Sequence, residues 1–237
     1  MQRYFVKKVE KGKFILSDQD IYHIKKVMRF NENDKIEVVA NEIVYLCNID
    51  SLEPFGISII KQYQEDRNLN INLTIGISLV QEQKFDLIIQ KLTELGVTDI
   101  IPLKTERSKV KIEEKKIEKK YQRWNMICKE ASEQSNRTSV PIIEPITSLA
   151  KINTTKFDLK LICSTSNKSK SIKEIINKQN NDAKNILFII GPEGGFSENE
   201  ENKLINNEFI PISLGKRILR VETAAIYVAS IINYIYG

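Results

Sequence analysis

Residues 185–200, NILFIIGPEGGFSENE, join an apolar strand pattern to a glycine-rich turn and a helix start. The run NILFII is apolar on both faces, as expected of a strand in a parallel sheet that is covered on both sides. Glycines in the turn GPEGG let a ligand approach the backbone closely. Ser197 and Glu200 have the spacing of a capping box, which begins a helix. This stretch predicts a strand, turn and helix of an α/β domain, with a ligand at the turn.

The same alternation of strands and helices extends over residues 71–237. Apolar strand patterns occur at INLTIGISLV (71–80), DIIPL (99–103), FDLKLIC (157–163) and FIPISL (209–214). Amphipathic helix patterns separate these strands, and Gly96 is placed to end the first helix. We therefore predict a parallel sheet with helices on both faces.

Residues 1–66 follow a different pattern and predict a small β-rich domain. Five short runs rich in β-branched and aromatic residues predict strands: YFVKKV (4–9), KFIL (13–16), KIEVVA (35–40), IVYLCNI (43–49) and GISIIKQ (56–62). Gly12 is expected to break the first two runs. Ser17 to Asp20 form a second capping box, which predicts a helix. The polar stretch 64–70 predicts a linker between domains 1–66 and 71–237.

Positive charge is concentrated at the start of the chain. Residues 1–30 hold eight Lys or Arg, among them Lys7, Lys8, Lys11 and Lys13, against three acids. The resulting net charge of +5 equals that of the whole chain, so the remaining residues balance. Tyr22, Lys25, Lys26 and Arg29 fall on or beside one predicted helix face. Cations next to an aromatic ring are typical of RNA-binding surfaces. A solvated lysine-rich face remains the alternative interpretation.

Several classes of protein are excluded by motifs that the chain lacks. Three cysteines lie far apart and His23 is the only histidine, so neither a metal site nor a disulfide framework is predicted. Neither a phosphate-binding P-loop nor the usual dinucleotide fingerprint occurs. No apolar run approaches the roughly 18 residues of a membrane span, and the charged first residues do not resemble a secretion signal. We expect a soluble, cytoplasmic protein without metal.

Three strand ends carry the candidate chemistry of the larger domain. These are Cys163-Ser164-Thr165, Gly191 to Phe196, and Leu214 to Ala224. Glu193 would repel a pyrophosphate, so the glycine turn favours a neutral or cationic ligand. A tight turn without a ligand is the alternative. A helix start would explain Glu222 near the positive end of the helix dipole, but it would not explain Arg220.

Motifs along nearly the whole chain resemble one known family. They are Tyr4-Phe5, Val27-Met28-Arg29, Gln90-Lys91-x-x-Glu94-Leu95-Gly96-Val97, Glu106-Arg107-Ser108, Trp124, Glu133-Gln134-Ser135-x-Arg137, Val140-Pro141, Gly191 to Ser197 and Leu214 to Ala224. The chain is similar in these motifs to the bacterial small-subunit ribosomal RNA uridine-N3 methyltransferases of the SPOUT superfamily. Val221 stands where that family usually has threonine, and Ala40-Asn41-Glu42 replaces a hairpin that contains glycine.

The resemblance implies a trefoil-knotted, parallel-sheet methyltransferase domain after a small PUA-like β-barrel. It also implies a homodimer, the cofactor S-adenosylmethionine, and ribosomal RNA as the substrate within an assembled small subunit. The implied cofactor residues are Cys163, Ile190, Gly191, Gly195, Leu214, Gly215, Ile218, Leu219 and Thr223. For catalysis we assign Arg220 as the electrostatic stabiliser of a uridine anion and Glu222 as its orienter or a proton acceptor. The RNA contacts that we predict are Arg3, Tyr22, Lys25, Lys26, Arg29, Arg107 and Arg137.

Two other functions remain open at this point. A ribose 2′-O-methyltransferase of the same superfamily would normally carry asparagine-rich motifs at the first strand and the final loop, which we do not find. An RNA-binding ribosome factor with a vestigial pocket would not need the intact loops at Gly191 to Gly195 and Leu214 to Thr223. Mapping the methylated position and measuring cofactor affinity would separate these functions.

Overall fold

The computed structural model describes residues 1–6, 8–10, 13–166, 169–178 and 183–237. Lys7, Lys11 and the break predicted at Gly12 lie outside these residues, as do the side chains of Lys8 and Lys13. The chain divides into two compact units. The first unit consists of Met1–Arg67 and Lys129–Ser139, and the second of Asn68–Cys128 and Val140–Gly237.

The first unit is built from short strands and one helical segment. Its elements in the described residues are β1 (Arg3–Phe5), β2 (Lys8–Glu10), β3 (Lys13–Ile15), α1 (Asp18–Tyr22), a π-helical turn (His23–Val27), β4 (Lys35–Ala40), β5 (Ile43–Leu52) and β6 (Phe55–Tyr63). A four-stranded sheet has the order β1-β4-β5-β6, and β2 pairs with β3 in a separate antiparallel ribbon. Its core contains Tyr4, Ile24, Ile36, Val38 and Ile49.

Two predictions for this unit differ from the structure. The run YFVKKV does not form one strand, because β1 pairs with β4 while β2 pairs with β3. The predicted helix begins at the expected capping box, where the Ser17 hydroxyl accepts a hydrogen bond from the Asp20 amide. It then widens into the π-helical turn. Arg29 follows this turn with a φ of 54°, so Tyr22, Lys26 and Arg29 do not keep α-helical spacing.

The second unit alternates strands with helices. Its described elements are β7 (Asn72–Ser78), α2 (Glu82–Glu94), β8 (Asp99–Lys104), α3 (Glu114–Gln134), β9 (Ile142–Ile143), β10 (Thr147–Ser148), a 3-10 turn (Leu149–Lys151), β11 (Leu159–Cys163), β12 (Lys170–Ser171), α4 (Ile172–Lys178), β13 (Asn185–Ile190), α5 (Glu198–Asn206), β14 (Ile210–Ser213) and α6 (Val221–Tyr236). The last residues of α3, from Lys129 onward, belong to the first unit.

The strands of the second unit form one parallel sheet. The order is β10-β8-β7-β13-β11-β14-β12, with β9 beside β8, and all of the pairings in this sheet are parallel. Successive residues of β13 pack into different cores: Ile186, Phe188 and Ile190 into one, Leu187 and Ile189 into the other. The prediction of an α/β fold with a parallel sheet covered on both faces is therefore confirmed.

Local signals begin and end these helices as the sequence predicts. Gly96 has a φ of 88° directly after α2, a conformation that suits glycine at a helix C-terminus. Ser197 and Glu200 form the predicted capping box of α5. The turn before Ser197 follows the carboxyl end of β13, so it lies at the edge of the sheet where the carboxyl ends of the parallel strands meet.

Candidate active site

A cleft of about 510 Å³ opens at this edge, beyond the carboxyl ends of β11, β13 and β14. Three loops line it: Cys163 to Thr165, Ile190 to Phe196 and Ser213 to Leu219. They are the three strand ends that the sequence singles out. Of the nine predicted cofactor residues, the cleft brings together Cys163, Ile190, Gly191, Gly195, Leu214, Gly215, Ile218 and Leu219. Thr223 is exposed on the first turn of α6 and is not among the lining residues.

The glycine-rich turn is held in a fixed conformation. Gly195 has a φ of 67°, and its amide donates to the carbonyl oxygen of Pro192 at 2.9 Å. A Cβ added at the buried Gly191 would lie 3.0 Å from the Phe196 ring, so a larger residue there would displace that ring. The turn therefore needs glycine at both ends for different reasons, backbone conformation at Gly195 and space at Gly191.

The loop after β14 is turned by a second glycine. Gly215 has a φ of 121°, and the Ser213 hydroxyl both donates to its carbonyl oxygen at 3.1 Å and accepts from its amide at 3.3 Å. Ile218 is 85% exposed although it lines the cleft. An aliphatic side chain with this much exposed surface gains burial when a ligand or a partner covers it.

The third loop contributes a thiol and a polar pair. Burial raises the pKa of the Cys163 thiol to about 12, so this group stays protonated at neutral pH and serves as packing surface rather than as a nucleophile. The Ser164 hydroxyl donates to Oε1 of Glu201 at 2.6 Å, and both residues line the cleft. The sequence analysis missed Glu201. Its position in the first turn of a helix that faces three strand ends could have indicated that it belongs to the site.

Two contacts tie the loop after β8 to the glycine-rich turn. Arg107, which we predicted to bind RNA, donates from Nη1 to the carbonyl oxygen of Gly194 at 3.0 Å and lines the cleft. The amide of Glu106 donates to Oε1 of Glu200 at 2.8 Å, while Oε2 of Glu200 accepts from the Ser197 amide at 3.0 Å. The sequence predicts the contact of Glu200 with Ser197, because it caps the helix. It gives no signal for the contact of Glu200 with Glu106.

An ion pair lies at the outer side of the turn. Lys84 Nζ contacts Oε1 of Glu193 at 2.9 Å, and this bond lowers the pKa of the Glu193 carboxyl and raises that of the Lys84 amine. The charges of Glu222 and Arg220 also act on the Lys84 amine, in opposite directions. The two residues assigned to catalysis therefore lie close to this pair, beside the cleft rather than in its lining.

Arg220 and Glu222 differ in their surroundings. Arg220 is the exposed N-cap residue of α6 and makes no side-chain cap hydrogen bond. Glu222 is partly buried, and its Oε2 has no hydrogen-bond partner among the described residues. A buried carboxylate oxygen without a donor is unfavourable unless a ligand or water supplies one. Among the described residues, this arrangement leaves a carboxylate oxygen of Glu222 that can accept a hydrogen bond and an exposed guanidinium at Arg220.

The cleft suits the cofactor that the family resemblance implies. Its volume lies within the roughly 300–1,000 Å³ of small-molecule sites. Backbone of glycines and the apolar side chains of Ile190, Leu214 and Leu219 offer contacts to a neutral ring system. The charged lining is of mixed sign, with the carboxylates of Glu193 and Glu201 and the cations of Arg107, Lys216 and Arg217. No three His, Cys, Asp or Glu side chains in the described residues lie close enough together to hold a metal ion.

Four of the predicted RNA contacts lie on α1, on the π-helical turn or directly after that turn. Tyr22 is 62% exposed, and Lys26 and Arg29 are exposed as well. Lys25 is mostly buried and its Nζ contacts Oε1 of Glu53 at 2.6 Å. The structure therefore leaves Tyr22, Lys26 and Arg29 available to a partner, whereas Lys25 already has a counter-ion.

Two of the predicted RNA contacts, Arg3 and Arg137, are buried in this structure. Arg3 is 1% exposed and donates to the carboxylates of Glu37 and Glu65 and to the backbone carbonyl oxygens of Asn136 and Arg137. Arg137 is 5% exposed. A guanidinium that is enclosed and hydrogen-bonded in this way holds the first unit together and presents no surface to RNA.

Comparisons with known proteins agree with this architecture. Residues 67–233 match the model of the RNA methyltransferase domain family. The chain is 35% identical to the ribosomal RNA small subunit methyltransferase E of Bacillus subtilis, over 99% of this chain and 96% of that protein. It is 36% identical to the enzyme of the same name from Mesomycoplasma hyopneumoniae, with 96% of each covered.

Solved structures with the same fold extend this similarity. A ribosomal RNA small subunit methyltransferase E from Neisseria gonorrhoeae, crystallised with S-adenosylmethionine, superposes with a TM-score of 0.87 at 30% identity, covering 100% of this chain and 98% of that one. A methyltransferase from Legionella pneumophila, also with its bound cofactor, gives 0.89 at 28% identity, covering 98% and 97%. The chain belongs to the RNA methyltransferase family, among the ribosomal RNA small subunit methyltransferase E enzymes.

Proposed function

We propose that this protein transfers a methyl group from S-adenosylmethionine to the ring nitrogen N3 of a uridine in small-subunit ribosomal RNA. The observation that carries the proposal is the three-loop cleft with Arg220 and Glu222 beside it, in a chain of this family. The structures from Neisseria gonorrhoeae and Legionella pneumophila, which share the fold and hold this cofactor, support the choice of ligand.

The proposed residue roles follow from the geometry of the cleft. When bound, S-adenosylmethionine supplies an electrophilic methyl group. Gly191 to Gly195 and Leu214 to Leu219 bind the cofactor through backbone and apolar contacts, and Cys163 packs against it. Thr223 has a weaker case, because it does not line the cleft. Holding donor and acceptor in line accounts for part of the rate enhancement.

The acceptor nitrogen needs a second kind of help, because N3 of uracil is a poor nucleophile while it carries its proton. Arg220 stabilises the negative charge that develops on a uracil carbonyl oxygen as the proton leaves. Glu222 orients the guanidinium, or accepts the N3 proton at its unpartnered Oε2 and releases it to water. The N3–H bond breaks and N3 gains the methyl group, which the bound cofactor would release by cleavage of its methyl–sulfur bond with the electron pair left on sulfur, so the methylated base leaves the site neutral.

The finer architectural features form part of the same proposal. Residues 1–66 make a PUA-like barrel that binds RNA through Tyr22, Lys26 and Arg29, and residues 71–237 make a trefoil-knotted methyltransferase domain. The protein acts as a homodimer in the cytoplasm on RNA within an assembled small subunit. No helix in the described residues is long and apolar enough to cross a membrane.

The decisive experiment is methylation of small-subunit ribosomal RNA in vitro, both free and within assembled subunits. Reverse transcription should stop at one uridine, because a methyl group on N3 blocks the pairing edge of the base, and digestion should yield 3-methyluridine. Methylation of a ribose 2′-hydroxyl would overturn the proposal in favour of the related enzyme class. Cofactor binding without any transfer would favour a ribosome factor that has lost activity.

A further inference from the structure

A second basic stretch lies in the larger unit. Residues 104–123 contain nine Lys or Arg and four Glu, a net charge of +5 that equals the charge of the whole chain. We call these residues the basic segment. It begins at the last residue of β8, at the same edge of the sheet as the cleft, and continues through a loop into the first turns of α3.

Part of the basic segment forms no ion pair in the described residues. Lys104, Lys109, Lys111 and Lys119 are exposed, and none of them forms an ion pair in the described part of the chain. The remaining helical cations differ, since Lys116 pairs with Glu113, Lys120 with Glu82, and Arg123 with Asp86. Unpaired like charges in one short segment repel one another, and a polyanionic partner would relieve that repulsion.

The basic segment begins at the candidate active site. Arg107 is hydrogen-bonded to Gly194 of the glycine-rich turn, and the charge of Lys109 acts on Glu193 of the same turn. Further along, Lys111 and Lys116 border a second cleft of about 330 Å³, whose walls include Val110, Ile112 and the buried ring of Trp124. The unpaired lysines thus extend from the cofactor cleft outward.

The distribution of these lysines indicates which anion they fit. A single phosphate is usually held by several donors that converge on one point. Here the cations follow one another along a strand end, a loop and two helical turns, which matches the successive phosphates of a strand. We infer that the basic segment binds the backbone of the RNA strand that leads the target uridine into the cleft. This inference rests on the proposed function, since it takes the acceptor to be RNA.

The test compares two variants of equal charge. K104Q/K111Q/K119Q removes three unpaired lysines of the basic segment. K156Q/K184Q/K203Q is the control. Lys156 and Lys184 precede β11 and β13, and Lys203 lies in the last turn of α5, so these exposed residues belong near the opposite edge of the sheet. Affinity for a small-subunit ribosomal RNA fragment is measured at several salt concentrations, and affinity for S-adenosylhomocysteine by calorimetry.

We expect the slope of log affinity against log salt to flatten by about two to three units in the first variant, and RNA affinity at 0.1 M salt to fall at least roughly tenfold. The control should keep the wild-type slope, and both should bind S-adenosylhomocysteine normally. An unchanged slope in the first variant, or an equal change in the control, would overturn the inference. Failure of the wild type to bind S-adenosylhomocysteine or to methylate RNA would instead overturn the proposed function.

Discussion

Arg3 and Arg220 carry the same charge in opposite surroundings. Arg3 is enclosed in the first unit with two carboxylates and two backbone carbonyl oxygens as partners, whereas Arg220 stands exposed beside a cleft. When an enclosed guanidinium is removed, its buried partners lose their hydrogen bonds, so the substitution lowers the stability of the fold. An exposed one beside a reaction centre acts on the reaction.

Arg3→Met should lower the free energy of unfolding by about 3 kcal/mol, because Glu37 would keep a nearly buried charge without its guanidinium. Arg67→Met is the matched control, since Arg67 is half exposed and pairs with the same Glu65; its loss should cost less than about 1 kcal/mol. Urea denaturation measures both. Equal losses in the two variants would contradict a structural role for Arg3.

The same experiment has a pH dependence. Hydrogen bonds from Arg67 and then Arg3 lower the pKa of the Glu65 carboxyl below its ordinary value. The ionised carboxylate is therefore favoured in the folded protein, and its stabilisation is present at neutral pH. That stabilisation is lost as the pH falls through the lowered pKa. The stability difference between wild type and Arg67→Met should accordingly shrink in acid.

Arg220→Ala should reduce the single-turnover rate of methyl transfer about a hundredfold or more, as for the loss of one oxyanion donor. RNA affinity should stay close to that of the wild type, because one cation among many contributes little to binding. Lys184→Ala, at the other edge of the sheet, is the control for general charge effects. A near wild-type rate for Arg220→Ala would show that another group stabilises the uridine anion.

Residues of the cleft could be predicted because each carries a local signal. Gly191, Gly195 and Gly215 lie in the turns that follow β13 and β14, where glycine indicates a tight change of direction. The burial of Arg3 has no such signal, since the carbonyl oxygens that it contacts belong to Asn136 and Arg137, more than 130 positions away in the chain. Lys84 was missed for the same reason: its partner Glu193 lies on a distant loop.

At the scale of elements, the β4–β5 hairpin departs from the usual residues. Asn41 and Glu42 have φ values of 50° and 63°, which is the pattern of a type I′ turn without glycine. Such values cost a residue with a Cβ about 1 kcal/mol or more. The sequence predicts a break between two strands here, and the structure closes it with a two-residue turn although neither residue is glycine.

Glu42→Gly should therefore stabilise the protein, by up to about 1 kcal/mol after the flexibility of glycine in the unfolded chain is deducted. The control is Glu42→Ala. A Glu32→Gly variant would not serve as a control, because the Glu32 side chain accepts a hydrogen bond from the Leu52 amide. Alanine keeps the unfavourable φ and should leave the midpoint of thermal unfolding near that of the wild type. A lower midpoint for Glu42→Gly would show that the Glu42 side chain itself stabilises the turn.

The ion pair between Lys25 and Glu53 changes how strongly the cations near α1 are expected to contribute to RNA binding. Replacing Lys25, Lys26 and Arg29 together by glutamine should flatten the salt dependence of RNA binding by about two units rather than three, because Lys25 is already paired with Glu53. Lys25→Gln alone should change the slope little. A slope that stays at the wild-type value in the triple variant would exclude this face from RNA binding.

At the scale of the whole molecule, net charge conceals how charge is arranged. Residues 1–30 and the basic segment each carry +5, and the rest of the chain offsets one of them. When the charges of all residues after residue 30 are summed, they cancel, and the second basic stretch is hidden. The net charge in a moving window of about 20 residues would have revealed it. A protein that binds a long polyanion at more than one point needs two separate basic stretches of this kind.

The final helix predicts how copies of the chain associate. This helix carries more apolar residues than one face of a sheet needs, and three of them, Ala225, Val228 and Ile232, are fully buried in the core. Tyr227, Ile231, Tyr234 and Ile235 fall together on another face, and Tyr234 is 90% exposed. We expect a two-fold dimer by light scattering at micromolar concentration, and a monomer for Tyr234→Glu.

A matched variant and a clear contrary result complete that test. Tyr22→Glu introduces the same charge at an exposed tyrosine of the first unit and should leave the dimer intact. A monomeric mass for the wild type would exclude the dimer. A dimeric Tyr234→Glu would place the interface elsewhere.

The membership of residues 129–139 in the first unit has a consequence for how the protein is made. During translation, β1 emerges first, but the carbonyl oxygens that Arg3 contacts and the Glu133 carboxylate that accepts from the Phe5 amide come far later. At roughly 5–20 residues per second, the ribosome needs on the order of ten seconds to synthesise the intervening chain. The amino-terminal strands therefore wait, incomplete, until the end of α3 has been made. The first unit can finish folding only after Ser139 has been synthesised, although that is still earlier than the second unit, which extends to Gly237.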